Sequence, residues 1–240
     1  MALSLNEILF LIVVFLANTI ESMTGFAGTL LAMPASMQLI GVDEAKTVLN
    51  MMSLLCCLWV AIGTYKHTNW KELMKITIFM LVGMAIGIVL FDYAPVTILL
   101  KIYAIVIIAV ALRKFFQKKV IPIPEIGLLA VLIMAGVIHG MFLSGGSLLV
   151  IYAATVLKDK TEFRATLAPL WVILDSFMFI NQIRLGHVNE TTIPLILIAL
   201  IPLIAGIILG VKLFTKINQK NFLTLTYILL LVSGVSLLLK

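Results

Sequence analysis

Long apolar runs separated by short charged clusters dominate the chain. Eight can be read: Ile8 to Ile40, Thr47 to Tyr65, Leu73 to Phe91, Val96 to Leu112, Ile126 to Leu157, Ala165 to Ile183, Ile193 to Val211 and Phe222 to Leu239. Six have the length of a helix that crosses a bilayer, about 20 residues for a hydrocarbon core of ~30 Å. The first and fifth run past thirty residues, and as unbroken helices they would reach roughly 50 Å. Each therefore has to be interrupted, and each carries a cluster suited to it: Glu21-Ser-Met-Thr-Gly25-Phe-Ala-Gly28 and His139-Gly140-Met-Phe-Leu-Ser144-Gly145-Gly146-Ser147. Glycine frees the backbone there, and hydroxyls can occupy the polar groups that an interrupted helix releases.

Composition turns this pattern into a fold class. Of 240 residues, 62% are apolar and 12% charged, with a mean hydropathy of +1.20, whereas soluble domains run near half apolar and about a quarter charged. The expectation is an all-α polytopic membrane protein. Its longest charged stretch, Arg113 to Glu125, is too short for an extramembrane domain, and the absence of a GxxxxGK[ST] loop argues against a nucleotide-driven pump. The net charge of +6 sits between apolar runs, where Lys and Arg set orientation rather than bind nucleic acid. Cys56 and Cys57 are adjacent in an apolar run, a poor geometry for a disulfide, and are expected to pack as small hydrophobes. Met1 to Leu16 lacks a positive leader region and counts as part of the first membrane segment rather than a signal peptide.

The two overlong runs align with each other. Gly28-Thr-Leu-Leu-Ala-Met reads against Gly146-Ser-Leu-Leu-Val-Ile at an offset of 118. Ala45 pairs with Ala165 and His67 with His187 at 120, and Gly83 and Gly87 pair with Gly206 and Gly210 at 123. This predicts one four-segment unit used twice, residues 1–119 and 120–240. If all eight runs crossed once, Lys and Arg would divide nine against eight. If runs one and five enter and return on the same side, as re-entrant hairpins or as two crossings each, the division becomes thirteen against four. The positive-inside rule favours the second case, an inverted repeat with both termini outside and the two breaks meeting inside the protein.

At the paired breaks the chain resembles the sulfite exporter TauE/SafE family. The resemblance rests on Gly25-Phe-Ala-Gly28-Thr-Leu-Leu-Ala-Met-Pro34 followed by Gly41 and Ala45, and on Ser144-Gly145-Gly146-Ser147-Leu-Leu-Val followed by Ala165-Thr166. It spans nearly the whole chain. It implies a secondary transporter in the bacterial inner membrane that exports small organic or sulfur-containing anions such as sulfite or sulfonates.

The breaks suggest how an anion would be held. A helix restarting inside the membrane exposes backbone N–H groups and the positive end of its dipole. Two such ends, at Gly28-Thr29 and Gly146-Ser147, would make an anion site without a buried Arg or Lys. Ser22, Thr24, Gly25, Ser144 and Gly145 complete the candidate substrate-binding set, the alternative being that small residues only let helices pack closely. Glu21 and His139 each precede a break at the same offset of 118, and with Asp175 they are the proton-coupling candidates, or else groups that tie down loose backbone. Asn50, Ser53 and Thr166 are candidate cavity-lining residues. His67 and His187 are assigned to the interface, and Trp59, Trp70 and Trp171 to belt or packing positions. The competing classes are an anion channel, a membrane scaffold or assembly factor, and an intramembrane hydrolase using Ser144 with His139 or His187. The last lacks a third group, so no enzyme activity is expected, and no cofactor or metal either. The partners expected are a small anion, protons and membrane lipids, with a homodimer left open.

Overall fold

The computed structural model describes residues 4–93, 124–157 and 159–218, with scattered positions in 95–112 and 220–235. The expected segments Val96 to Leu112 and Phe222 to Leu239, and the linker from Arg113, lie largely outside the described residues. The helices that follow are α1 Leu5–Thr24, α2 Gly28–Ile40, α3 Val42–Thr64, α4 Trp70–Tyr93, α5 Glu125–Phe142, α6 Gly146–Val156, α7 Lys160–Arg184 and α8 Thr192–Lys216. All but α2 and α6 are long and apolar enough to cross a membrane, making six spanning helices among the described residues. The 13 residues of α2 and 11 of α6 reach only roughly 20 and 17 Å, short of a hydrocarbon core. Both overlong runs are therefore a spanning helix, a break and a short helix.

Local signals set the helix starts. Ser4 Oγ accepts from Glu7 N at 3.2 Å while Glu7 Oε2 accepts from Ser4 N at 2.7 Å, a capping box that opens α1. Asp159 opens α7, and the backbone N–H groups of Glu162 and Thr161 hold its carboxyl below the usual carboxylate range. On α4, Met74, Ile78, Val82, Ile86 and Leu90 are exposed at helical spacing, the stripe a helix turns to lipid.

Glycine pairs fix how the spanning helices meet. Gly83 and Gly87 of α4 lie against the Ile133 and Val137 backbone of α5, whose Gly136 and Gly140 lie in turn against Met80 and Met84. Gly206 and Gly210 of α8 lie against Phe15, Thr19 and Ser22 of α1. Each pair has small-xxx-small spacing, which brings backbones into contact where a larger side chain would hold them apart. The register makes α4 and α5 run in the same direction, as do α1 and α8. Between these pairs α3 packs on α7 in the opposite sense, with Ser53 beside Asp175 and Thr68 beside Ala165.

One face of the bundle gathers the charged connections. Thr68 Oγ1 donates to Ala165 O at 2.9 Å and Asn69 Nδ2 to Glu162 Oε1 at 2.8 Å, joining the α3–α4 turn to the start of α7. Lys160 Nζ donates to Phe214 O and Ile217 O at the end of α8, and Lys75 pairs with Glu125 at 2.9 Å. Single cysteines placed at Lys66, Asp159 and Lys216, in a background with Cys56 and Cys57 changed to Ala, should all label from one side of sealed vesicles. Labelling of Lys66 and Asp159 from opposite sides would contradict the shared face.

Candidate functional site

The two breaks have the same construction. Gly25 ends α1 with φ 86° and Leu143 ends α5 with φ 55°, both left-handed and 118 positions apart. Gly25 N donates to Glu21 O at 2.6 Å, and Leu143 N to His139 O at 2.8 Å. A left-handed leucine costs on the order of 1–2 kcal/mol, so the surroundings must hold the second break in place, as they commonly do at functional sites. Past each turn the short helices α2 and α6 begin without a side-chain cap.

The breaks pack on each other and on the helices that precede them. A Cβ on Gly146 would lie 2.9 Å from Phe26 O, so the second break sits directly against the first. A Cβ on Gly28 would meet Glu21 Cβ at 2.6 Å and Ala17 O at 2.7 Å, and one on Gly145 would meet His139 Cβ at 2.8 Å. Thr24 Oγ1 accepts from the N–H groups of Phe26 and Ala27, fixing the turn that leads into α2. Trp171 Nε1 donates to Gly25 O at 2.7 Å, and its ring lies 5.1 Å from that of His139. Trp171 is thus a packing residue that also binds the first break.

Behind the breaks a buried chain of ionisable groups crosses from α1 to α5. Ser53 Oγ lies 2.7 Å from Glu21 Oε1 and 2.8 Å from Asp175 Oδ2, and His139 Nε2 lies 3.1 Å from Asp175 Oδ1. Glu21, Ser53, His139 and Asp175 are all at most 3% exposed. A serine hydroxyl carries one proton and can donate to only one of two carboxylates. Both contacts are satisfied when one carboxyl is protonated and donates to Oγ while Oγ donates to the other. Two charged carboxylates on one hydroxyl would instead leave a buried contact unsatisfied and two like charges close together. Asp175 also faces His139 through its other carboxyl oxygen. Cys57 Sγ approaches Glu21 Oε1 at 3.5 Å, and neither ring nitrogen of His139 makes a hydrogen bond, the approach of Nε2 to Asp175 being a close contact only.

This chain belongs to a longer polar seam. On α7, Arg164, Trp171, Asp175 and Gln182 recur on one face, and on α3 so do Lys46, Asn50, Ser53 and Cys57. Asn50 Nδ2 donates to Gln182 Oε1 and Asp175 O, both at 3.1 Å, and Gln182 Nε2 donates to Lys46 O at 3.3 Å. Arg164 and Gln182 lie roughly 27 Å apart along the helix, close to the bilayer's apolar thickness. Lys46 Nζ sits 3.6 Å from the Phe91 ring centroid beside a small open cleft, also lined by Gly140, Gln182 and His187. Arg164 Cζ sits 4.5 Å from the Phe214 ring centroid.

The remaining candidates are spread along the breaks. Ser22 Oγ turns to Thr19 O and Gly206 O, Ser144 Oγ donates to Phe142 O, and Ser147 Oγ donates to Ser144 O. Thr29 is buried at the start of α2. Thr166 lies at the charged face, its Oγ1 accepting from Asn69 N at 3.0 Å. The family model described as Sulfite exporter TauE/SafE matches residues 10–237.

The chain belongs to the sulfite exporter TauE/SafE family.

No curated protein and no solved structure matches it significantly. Membership identifies this multi-pass membrane protein with a family associated with anion export. Sequence reasoning counted Arg164 of this TauE/SafE chain among the loop cations that set orientation, yet it is 5% exposed and its Nε donates to Ser22 O at 2.6 Å. The available signal was its seven-residue spacing to Trp171 and eleven to Asp175, which puts all three on one helical face. Gln182 went unread although it continues the same stripe.

Proposed function

We propose that the chain is a secondary transporter that exports a small organic or sulfur-containing anion, alternating access around two glycine-rich breaks in an inverted repeat. The observation that carries this reading is the pair of breaks packed on each other, each ending in a left-handed residue and each preceded by a member of the buried Glu21–Ser53–Asp175–His139 chain. Inversion is supported by α3 and α7, equivalent in the alignment and antiparallel across the seam, and by the charged connections on one face. Residues 1–119 and 120–240 are then two repeats that exchange contacts, α1 with α8 and α5 with α4. The uncapped ends of α2 and α6 offer N–H groups to an oxyanion, with Ser22, Thr24, Gly25, Gly28, Thr29, Ser144, Gly145, Gly146 and Ser147 around them, and Asn50 and Ser53 on the seam.

Support for coupling to protons comes from the Ser53 hydroxyl set between two carboxyls, a bridge that one shared proton completes. An anion near the breaks would be offset by a proton taken up on Glu21, Asp175 or His139, so flux would depend on pH. A channel built on the same breaks would not need such a chain, and a scaffold would need neither. Proteoliposomes loaded with radiolabelled sulfite, with and without an imposed pH gradient, test the reading. Saturable flux that responds to the gradient supports it; linear flux independent of pH favours a channel, and no flux of any small anion favours a scaffold.

A further inference from the structure

Arg164 is a buried guanidinium with most of its hydrogen-bonding capacity unused. It is 5% exposed, its Nε donates to Ser22 O at 2.6 Å, and its terminal Nη groups have no hydrogen-bond partner among the described residues. No carboxylate among those residues lies within salt-bridge distance of it. The acids nearest in sequence are engaged elsewhere, since Asp159 caps α7 and Glu162 accepts from Asn69. The side chain is mostly buried, but its Nη atoms are not among the fully enclosed polar atoms left without a partner, so that end of the cation is open to a ligand, and buried cations are normally found paired.

The surroundings point to the missing partner. One turn earlier on α7, Lys160 Nζ lies 4.6 Å from the centroid of the same Phe214 ring that Arg164 Cζ approaches at 4.5 Å. Two cations therefore converge at the start of α7, where the helix dipole is also positive. The place adjoins the first break: a Cβ on Gly25 would lie 3.2 Å from Arg164 Cα. It also lies at the charged face, where Lys160 holds the end of α8. With Nε committed to Ser22, the free Nη pair presents a planar fork, the geometry that binds two oxygens of a carboxylate, sulfite or sulfonate.

We infer that Arg164, backed by Lys160 and Phe214, is a loading seat for an oxyanion between the charged face and the first break. The choice of a sulfur or carboxylate oxyanion rests on the anion-export reading, whereas the unpaired charge does not. Lys46 over Phe91 is a second cation–ring contact, at the other end of the seam.

Binding and flux separate this inference from the reading it rests on. The full-length protein in nanodiscs is titrated calorimetrically with methanesulfonate and with sulfite, as wild type, Arg164→Gln and Arg164→Lys. Arg164→Gln should weaken binding roughly 100-fold or more, the loss expected for two charge-assisted hydrogen bonds, and Arg164→Lys, which keeps the charge without the fork, should fall between. Should Arg164→Gln not insert, Arg164→Lys alone decides, and wild-type affinity in it overturns the seat. Undiminished binding in a monodisperse Arg164→Gln, or no binding of either anion by wild type, also overturns it. Wild type that binds methanesulfonate but moves no anion would refute transport and leave the seat standing. Sulfite flux in Arg164→Gln with an unchanged KM would refute the seat and leave transport standing.

Discussion

Asp175→Asn is expected to abolish the response of anion flux to a pH gradient, with the protein still inserted. The reason is arithmetic on protons. Ser53 stands 2.7 Å from Glu21 and 2.8 Å from Asp175, so its single hydroxyl proton satisfies both contacts only when the pair carries one further proton. An amide at position 175 keeps the hydrogen bonds but cannot gain or lose a proton in the working range. In the wild type a proton bound at the bridge offsets the charge of an anion at the breaks, so flux is expected to rise as pH falls. In Asp175→Asn the profile should be flat. Glu21→Gln should act alike, since it removes the other half of the pair. His139→Gln should be milder, because His139 touches Asp175 at 3.1 Å but is not on the hydroxyl bridge. A wild-type pH profile in Asp175→Asn would make the seam structural.

Much of this arrangement was legible in the chain because lengths and spacings carry it. A run from Ile8 to Ile40 cannot be one bilayer-crossing helix, so a break had to exist, and the Glu21–Gly28 cluster supplies it, while Pro34 is carried inside α2. The offset of 118 located the second break, and the two left-handed residues, Gly25 and Leu143, are 118 apart. What the chain hid is the pairing across the bundle. Ser53 reads as one small polar residue in an apolar run, and nothing local says that α3 and α7 set it between two carboxyls from other helices. Arg164 follows Lys158, Lys160 and Glu162, so by composition it belongs to a solvated connection. Only the packing of α7 against the first break puts it inside. The uses of Gly28 and Gly145 were likewise hidden: the space each leaves is filled by Glu21 and His139 from the preceding helix, a tertiary fact that a glycine count cannot supply.

Gly146→Val and Gly28→Val are expected to abolish flux altogether, and the reason differs between them. At Gly146 the new side chain would press on Phe26, whose carbonyl lies 2.9 Å from an added Cβ, and would drive the two breaks apart. At Gly28 it would strike Glu21 Cβ at 2.6 Å and Ala17 O at 2.7 Å, displacing the carboxyl that bridges to Ser53. Backbone carbonyls cannot swing away, and a β-branched side chain has few rotamers with which to escape. Overpacking of this kind costs typically ~1–3 kcal/mol, enough to disrupt the site in a bundle that still inserts. Gly63→Val is the control, because a Cβ there meets nothing within 4 Å, although valine in place of glycine alters the helix equally. Flux near wild type is expected for Gly63→Val, with none for the other two, measured beside the melting temperature of each variant in detergent. Wild-type flux in Gly146→Val would mean that the contact between the breaks is dispensable, and the anion path would then have to be sought along the cleft beside Lys46 and His187. Loss of flux in Gly28→Val with pH-dependent binding of sulfite retained would instead separate the two roles of the first break, leaving the proton-holding pair intact while the moving part is jammed.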